Sequence, residues 1–148
     1  MKSPSPLQDT AAERAVLGSV MADPEAMADV ADMLVPDDFA HGAHRRIYEA
    51  CLSLWRDGQP TDTVSVADVL EHRQQLAGVG GMAYLTRLVA EVPTAAHARR
   101  YAEIVATRAR LRRIRDAAER AKAAAEAGDI DEAMRYGGAI LEAGVERG

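Results

Sequence analysis

Lysine, cysteine, aromatic residues and long apolar runs are all scarce in this 148-residue chain, and each scarcity closes a route to function. The only lysines are Lys2 and Lys122, and neither follows a glycine. The G-x-x-x-x-G-K-[ST] phosphate loop therefore cannot be built, and the chain by itself is expected not to hydrolyse nucleotides. A single cysteine, Cys51, forms no internal disulfide, and no paired Cys or His spacing offers a structural zinc site. No run of 18 or more apolar residues occurs, and Met1–Leu7 lacks the apolar stretch of a signal peptide. A cytoplasmic location without membrane contact is expected. Aromatics are 4% of the chain, so any core is built from aliphatic residues and alanine.

What is present suits one helical unit. A chain of this length is one domain, or one compact unit with an appendage, and is long enough to bury a core without staples. Hydrophobic residues are 48% and charged residues 28%, a globular composition. Alanine, the best helix former, occurs 30 times. The expected fold is all-α: a compact orthogonal helical subdomain over residues 9–93, followed by an antiparallel helical hairpin over 94–148.

Within that frame, Met1–Gln8, with Pro4 and Pro6, reads as a disordered lead-in. Thr10 with Glu13 reads as a capping box opening a helix with Ala12, Val16, Leu17, Val20 and Met21 on its apolar stripe. Asp23-Pro24 starts a second helix carrying Met27, Val30, Ala31 and Leu34, and Pro36 ends it. Phe39, the only Phe, is expected to be buried in the turn that follows. Ile47, Tyr48, Cys51, Leu52, Leu54 and Trp55 recur at helical spacing between Ala43 and Arg56, and Gly58-Gln59-Pro60 stops that helix. Ser65 with Asp68 restarts a helix through Val66, Val69 and Leu70, a loop is expected at Ala77–Gly81, and Met82, Leu85, Leu88 and Val89 form the next apolar face before Pro93. Beyond Pro93 there is no proline, and between Met82 and Ala127 no glycine. One long helix is predicted over 94–127, a turn at Gly128, and a last helix over 129–145 capped by Asp129 with Glu132. The long helix's predicted stripe is Tyr101, Ile104, Val105, Leu111, Ile114, Ala118, Ala121 and Ala125, close to a heptad seam. An alanine-rich hairpin with Gly137 and Gly138 buries little area and calls for a partner surface. The expected self-contact uses Tyr101, Ile104, Leu111 and Ile114 with Met134, Ile140 and Leu141.

Charge is distributed unevenly along the chain. Net charge is −5, yet residues 1–98 hold 7 basic and 14 acidic side chains, residues 99–122 hold 9 and 3, and residues 123–148 hold 2 and 6. An acidic body is thus followed by a basic helix and an acidic end. Arg108, Arg112 and Arg115 fall on one helical face and, with Arg113, are candidates for phosphates or an acidic partner. Against this stands the plainer reading, in which Asp116 with Arg120, Arg112 with Asp116 and Arg115 with Glu119 are ion pairs on a solvated surface. The cluster lacks interleaved aromatics for stacking bases. A small nucleic-acid-binding regulator using residues 99–122 is the competing function, with protein contact preferred. His41 and His44, three apart, lack a third ligand in register and read as cap or core residues rather than a metal site. Asp37 and Asp38 read as a solvated cap, and Cys51 as a small buried hydrophobe. No catalytic constellation and no cofactor site is expected.

The order of several short strings is more specific than any one of them. AERAVLGSVMADPEAM over Ala12–Met27 is followed by Pro36-Asp37-Asp38-Phe39, by HRRIY over His44–Tyr48, and by Gly58-Gln59-Pro60-Thr61-Asp62. Gly80-Gly81-Met82-Ala83-Tyr84-Leu85, Pro93-Thr94-Ala95-Ala96 and Tyr101-Ala102-Glu103-Ile104-Val105 come next. Together, over roughly residues 8–145, they resemble the N-terminal domain of the replicative DNA helicase DnaB. The resemblance implies a unit that dimerises through its hairpins and builds, as a trimer of dimers, a collar on the helicase ring. It also implies a platform for primase and, in some systems, for helicase loaders. Catalysis in the family belongs to a following RecA-like ATPase domain, which this sequence does not contain. The chain is therefore expected to be a fragment of a longer helicase or a stand-alone DnaB-like protein, with a full-length helicase as a further candidate partner. Its expected role is oligomerisation and protein interaction in DNA replication, with DNA contact weak or indirect.

Overall fold

The computed structural model describes residues 9–145, and every regular element among them is helical. The lead-in predicted over Met1–Gln8 lies outside the described residues. The order is α1 (Thr10–Ala22), α2 (Pro24–Ala31), a 3-10 turn (Pro36–Asp38), α3 (Gly42–Arg56), α4 (Thr63–His72), α5 (Leu76–Val79), α6 (Gly81–Glu91), a second 3-10 turn (Ala95–His97), α7 (Ala98–Glu126) and α8 (Ile130–Ala143). No helix among these residues is long and apolar enough to cross a membrane.

Helix α1 is the central post, with α2, α3, α6 and α7 packed around it. Its Val16, Leu17 and Val20 are fully buried with Met27 and Val30 of α2, Ile47, Tyr48 and Cys51 of α3, and Leu85 and Leu88 of α6. Phe39 is fully buried as expected, its ring centroid 4.9 Å from that of Tyr48. The Tyr48 hydroxyl donates to the Leu34 carbonyl at 2.9 Å, so the one polar atom of that aromatic pair is satisfied inside the core. Burial pushes this hydroxyl above its ordinary range, and the neighbouring Cys51 adds to the shift. Trp55, expected on the same apolar face, sits instead at the surface end of α3.

Several boundaries differ from the sequence reading for local reasons. Asp9, not Thr10, caps α1, its Oδ1 accepting from the Ala12 amide at 2.9 Å. That frees Glu13 to turn inward instead of closing a capping box. Helix α4 begins at Thr63 after Asp62, ahead of the predicted Ser65 start. The expected loop at 77–81 contains the one-turn helix α5, closed by Gly80 at φ 112°. Pro93 does not open the long helix directly. Thr94 first caps a 3-10 turn, accepting from the Ala96 amide at 3.2 Å, and α7 follows from Ala98. At the far end of α7 the Asp129 amide donates to the Ala124 carbonyl at 2.9 Å and the Gly128 amide to Ala125 at 3.1 Å. This is a Schellman closure with Gly128 at φ 78°, the left-handed position glycine occupies without strain. Asp129 then caps α8 by accepting from the Glu132 amide at 3.0 Å, as predicted.

Candidate interaction surface of the helical hairpin

The first half of α7 lies on the body through a row of small residues. Ala98, Ala102, Val105 and Ala109 are buried, spaced four, three and four apart, a single helical face. Alanines let α7 approach α1 and α2 closely, and this row is the most deeply covered face of its first half. Tyr101 and Ile104 flank the row and pack partly against the same core. The second half of α7 leaves the body and packs on α8, with Ala117 buried in their seam.

Between these helices lies a cleft of about 510 Å3, lined by Arg110, Arg113, Ala117, Arg120, Tyr136 and Ala143 among others. Arg110 donates to the Gly144 carbonyl, tying the end of α8 back to α7. The guanidiniums of Arg120 and Arg135 lie 5.7 and 5.1 Å from the Tyr136 ring centroid, within cation-π range.

The seven residues predicted as one self-contact fall on three surfaces. Tyr101 and Ile104 belong to the body contact, whereas Ile114 and Ile140 are half-buried on the hairpin. Leu111, Met134 and Leu141 face solvent. On α8 the exposed residues make a continuous stripe: Ile130 is 76% exposed, Met134 72%, Leu141 75%, and Val145, just past the helix, 68%. Four large apolar side chains in one such row exceed the scattered exposure expected of a monomer's surface. Ile130 and Val145 were not singled out as contact residues from sequence, although they stand four residues from Met134 and Leu141 respectively, which are themselves seven apart.

The basic helix is used mainly within the molecule. Arg112 donates to the main-chain carbonyl of Asp38 at 2.8 Å, and Arg113 pairs with the Asp38 carboxylate at 2.5 Å. Both contacts commit these two side chains to the body around Asp38. Burial lowers the Arg112 pKa from its ordinary value, partly offset by the nearby carboxylate of Glu13. Arg108 is half-buried, and Arg115 is exposed and pairs with the adjacent Asp116 at 2.9 Å, not with Glu119. Arg99 reaches Asp29 on α2 at 3.7 Å.

Asp38 itself is fully buried, contrary to its reading as a solvated cap. Its Oδ2 accepts from the Val35 amide at 2.9 Å while Oδ1 faces Arg113. A buried carboxylate is tolerable only with such partners. Beside it lies a second buried network. Glu13 accepts from the Ala40 amide at 2.7 Å and stands 2.8 Å from Nδ1 of His44, whose Nε2 is 2.6 Å from the Tyr84 hydroxyl. An Nδ1–H donated to the carboxylate leaves Nε2 to accept from the tyrosine. His41, which precedes α3, has its Nε2 2.8 Å from the Thr10 hydroxyl. Both histidines thus serve α1 and α3. The links from Glu13 through His44 to Tyr84 and from Asp38 to Arg113 were not identified from sequence, because separations of 31, 40 and 75 residues carry no periodic signal.

With this geometry in place, comparison with known proteins is decisive. Residues 5–107 match the DnaB-like helicase N terminal domain. The chain belongs to this DnaB-like family. It is 44% identical over 133 residues to the replicative DNA helicase DnaB of Mycobacterium leprae, covering 87% of this chain and 22% of that protein. It is 42% identical over 109 residues to the DnaB of Geobacillus stearothermophilus, covering 74% and 24%. The chain therefore spans less than a quarter of the length of these curated relatives. Among solved structures, the N-terminal domain of DnaB helicase from Mycobacterium tuberculosis superposes with a TM-score of 0.88 at 40% identity, covering 93% of this chain and 99% of that one. A DnaB-like replicative helicase described with its interactions with primase gives a TM-score of 0.78 at 28% identity, covering 95% and 33%. The family match ends within α7, but the DnaB structural likeness extends into the hairpin.

Proposed function

We propose that this chain is a collar module of the DNA replication machinery, which assembles with further copies of itself through its hairpin and presents a platform to a replication protein. The observation that carries this reading is the exposed apolar stripe Ile130, Met134, Leu141 and Val145 on α8. Pairing with a second hairpin removes that stripe and the exposed Leu111 from water, at roughly 25 cal/mol per Å2 of apolar area. In an isologous pair, the α8 stripe of one copy lies against the open flank of α7 of the other. That flank carries Leu111 and Ala118 with Arg115 and Lys122, and α8 carries the acidic Asp131 and Glu142, so the charges are complementary. Tyr101, Ile104, Ile114 and Ile140 then support the contact from behind.

Primase is the first candidate for the platform, because the structurally similar helicase is described with its primase interactions. A helicase loader or a full-length helicase would use the same collar. The platform role needs no phosphate loop, and Lys2 and Lys122 stand in none. The test is the double substitution Met134→Asp with Leu141→Asp, read by light scattering and circular dichroism. Both side chains are exposed in the single chain, so helicity is expected to persist while the assembly falls to monomer. An assembly that survives both substitutions would place the contact elsewhere. Titration of purified primase into the parent and the double variant then tests the platform separately.

A further inference from the structure

We propose that Asp38 is an ionic latch, closed by Arg112 and Arg113, that sets the angle at which the hairpin leaves the body. The anchor side is rigid. Asp38 is fully buried, its Oδ2 is fixed by the Val35 amide, and the next residue, Phe39, is locked against Tyr48. The moving side is two successive residues of α7, about 100° apart around the helix. Arg112 takes the Asp38 carbonyl and Arg113 takes its carboxylate, so one residue of the body grips α7 at two azimuths. Two grips at different azimuths fix rotation as well as tilt at the far end of the body contact, beyond the buried row Ala98, Ala102, Val105 and Ala109 that seats the first half of α7.

The latch stands at the point where α7 passes from body to hairpin. N-terminal to it lie the residues of α7 buried against the body, Ala98, Ala102, Val105 and Ala109, and C-terminal to it Ala117, buried beside α8. A small rotation there is magnified along the 14 residues beyond Arg112, to the end of α7 at Glu126. Arg113 is shared, since it also lines the cleft between α7 and α8. Anything that draws Arg113 into that cleft opens the latch, which links contact at the hairpin to the direction in which the hairpin points. This inference is independent of how copies pair.

Distance measurement between spin labels tests it. Labels go on Glu71→Cys in α4 and Ala127→Cys at the hairpin tip, both exposed, while buried Cys51 stays unlabelled. Mixing labelled chain with an excess of unlabelled chain restricts the reading to distances within one molecule. The parent is expected to give one narrow distribution. Asp38→Asn and Arg113→Gln are each expected to broaden or shift it at unchanged helicity, and the double variant to be no broader than the wider single variant, because both break one contact. Arg113 is partly exposed, so Arg113→Gln decides the matter if Asp38→Asn does not fold. A distribution in Arg113→Gln as narrow and as centred as in the parent would overturn the proposal.

Discussion

At Gly18, where α1 crosses α6, a Cβ would stand 2.2 Å from the Leu88 carbonyl oxygen and 2.4 Å from Cγ2 of Val92. The opposing atom is backbone and cannot swing aside. Gly18→Ala is expected to destabilise by about 1–3 kcal/mol in urea unfolding, an overpacking cost that outweighs the helix propensity gained. Glu13 is a second residue on which the fold depends. Glu13→Ala strips the partner from His44 and from the Ala40 amide in a closed interior, and about 3–5 kcal/mol is expected to be lost, measured in the same way. Cys51 and Tyr48 together predict alkaline sensitivity. Burial pushes the Cys51 thiol up to about 12, and the Tyr48 hydroxyl also upward. The native state therefore keeps protons that the unfolded chain releases above about pH 9. Their contribution is full below that pH and is lost as pH rises toward 12, so the urea midpoint should fall between about pH 8 and about pH 11. A midpoint independent of pH over that range contradicts the burial of both groups.

Among elements, those with large apolar residues were readable from sequence and those built on alanine were not. The apolar faces of α1, α3 and α6 appear where their valine, leucine and isoleucine spacing put them. Helix α7 carries alanine on every side, so its predicted stripe included Val105 of the face laid on the body, flanked by Tyr101 and Ile104, but not Ala98, Ala102 and Ala109. Close approach selects small residues, and hydrophobic patterning does not report it. The same limit applies to the base of the hairpin. Its arginines were visible as charge, but their partner Asp38 lies some 75 residues away, and sequence spacing says nothing of contacts at that range. Substitution separates the two faces of α7. Ala102→Leu, on the buried face, is expected to cost about 1–3 kcal/mol by forcing α7 off α1, whereas Ala125→Leu, on an exposed face, is expected to leave stability nearly unchanged. Equal effects at the two positions would contradict the assigned face.

For the whole molecule, body and hairpin divide the work. The body is a helical core completed by the first half of α7, and its polar knots at Glu13 and Asp38 are satisfied by partners within the chain. The hairpin projects from it with an apolar stripe that no described part of the chain covers. A DnaB-like N-terminal domain built this way is structurally finished at one end and unfinished at the other, which is the shape expected of a unit that completes itself against a neighbour. The measurement that bears most directly on this account is the mass of the chain by multi-angle light scattering over a wide concentration series. A dimer, or a multiple of dimers, that dissociates on dilution is expected. A strict monomer at the highest concentration reached would contradict it.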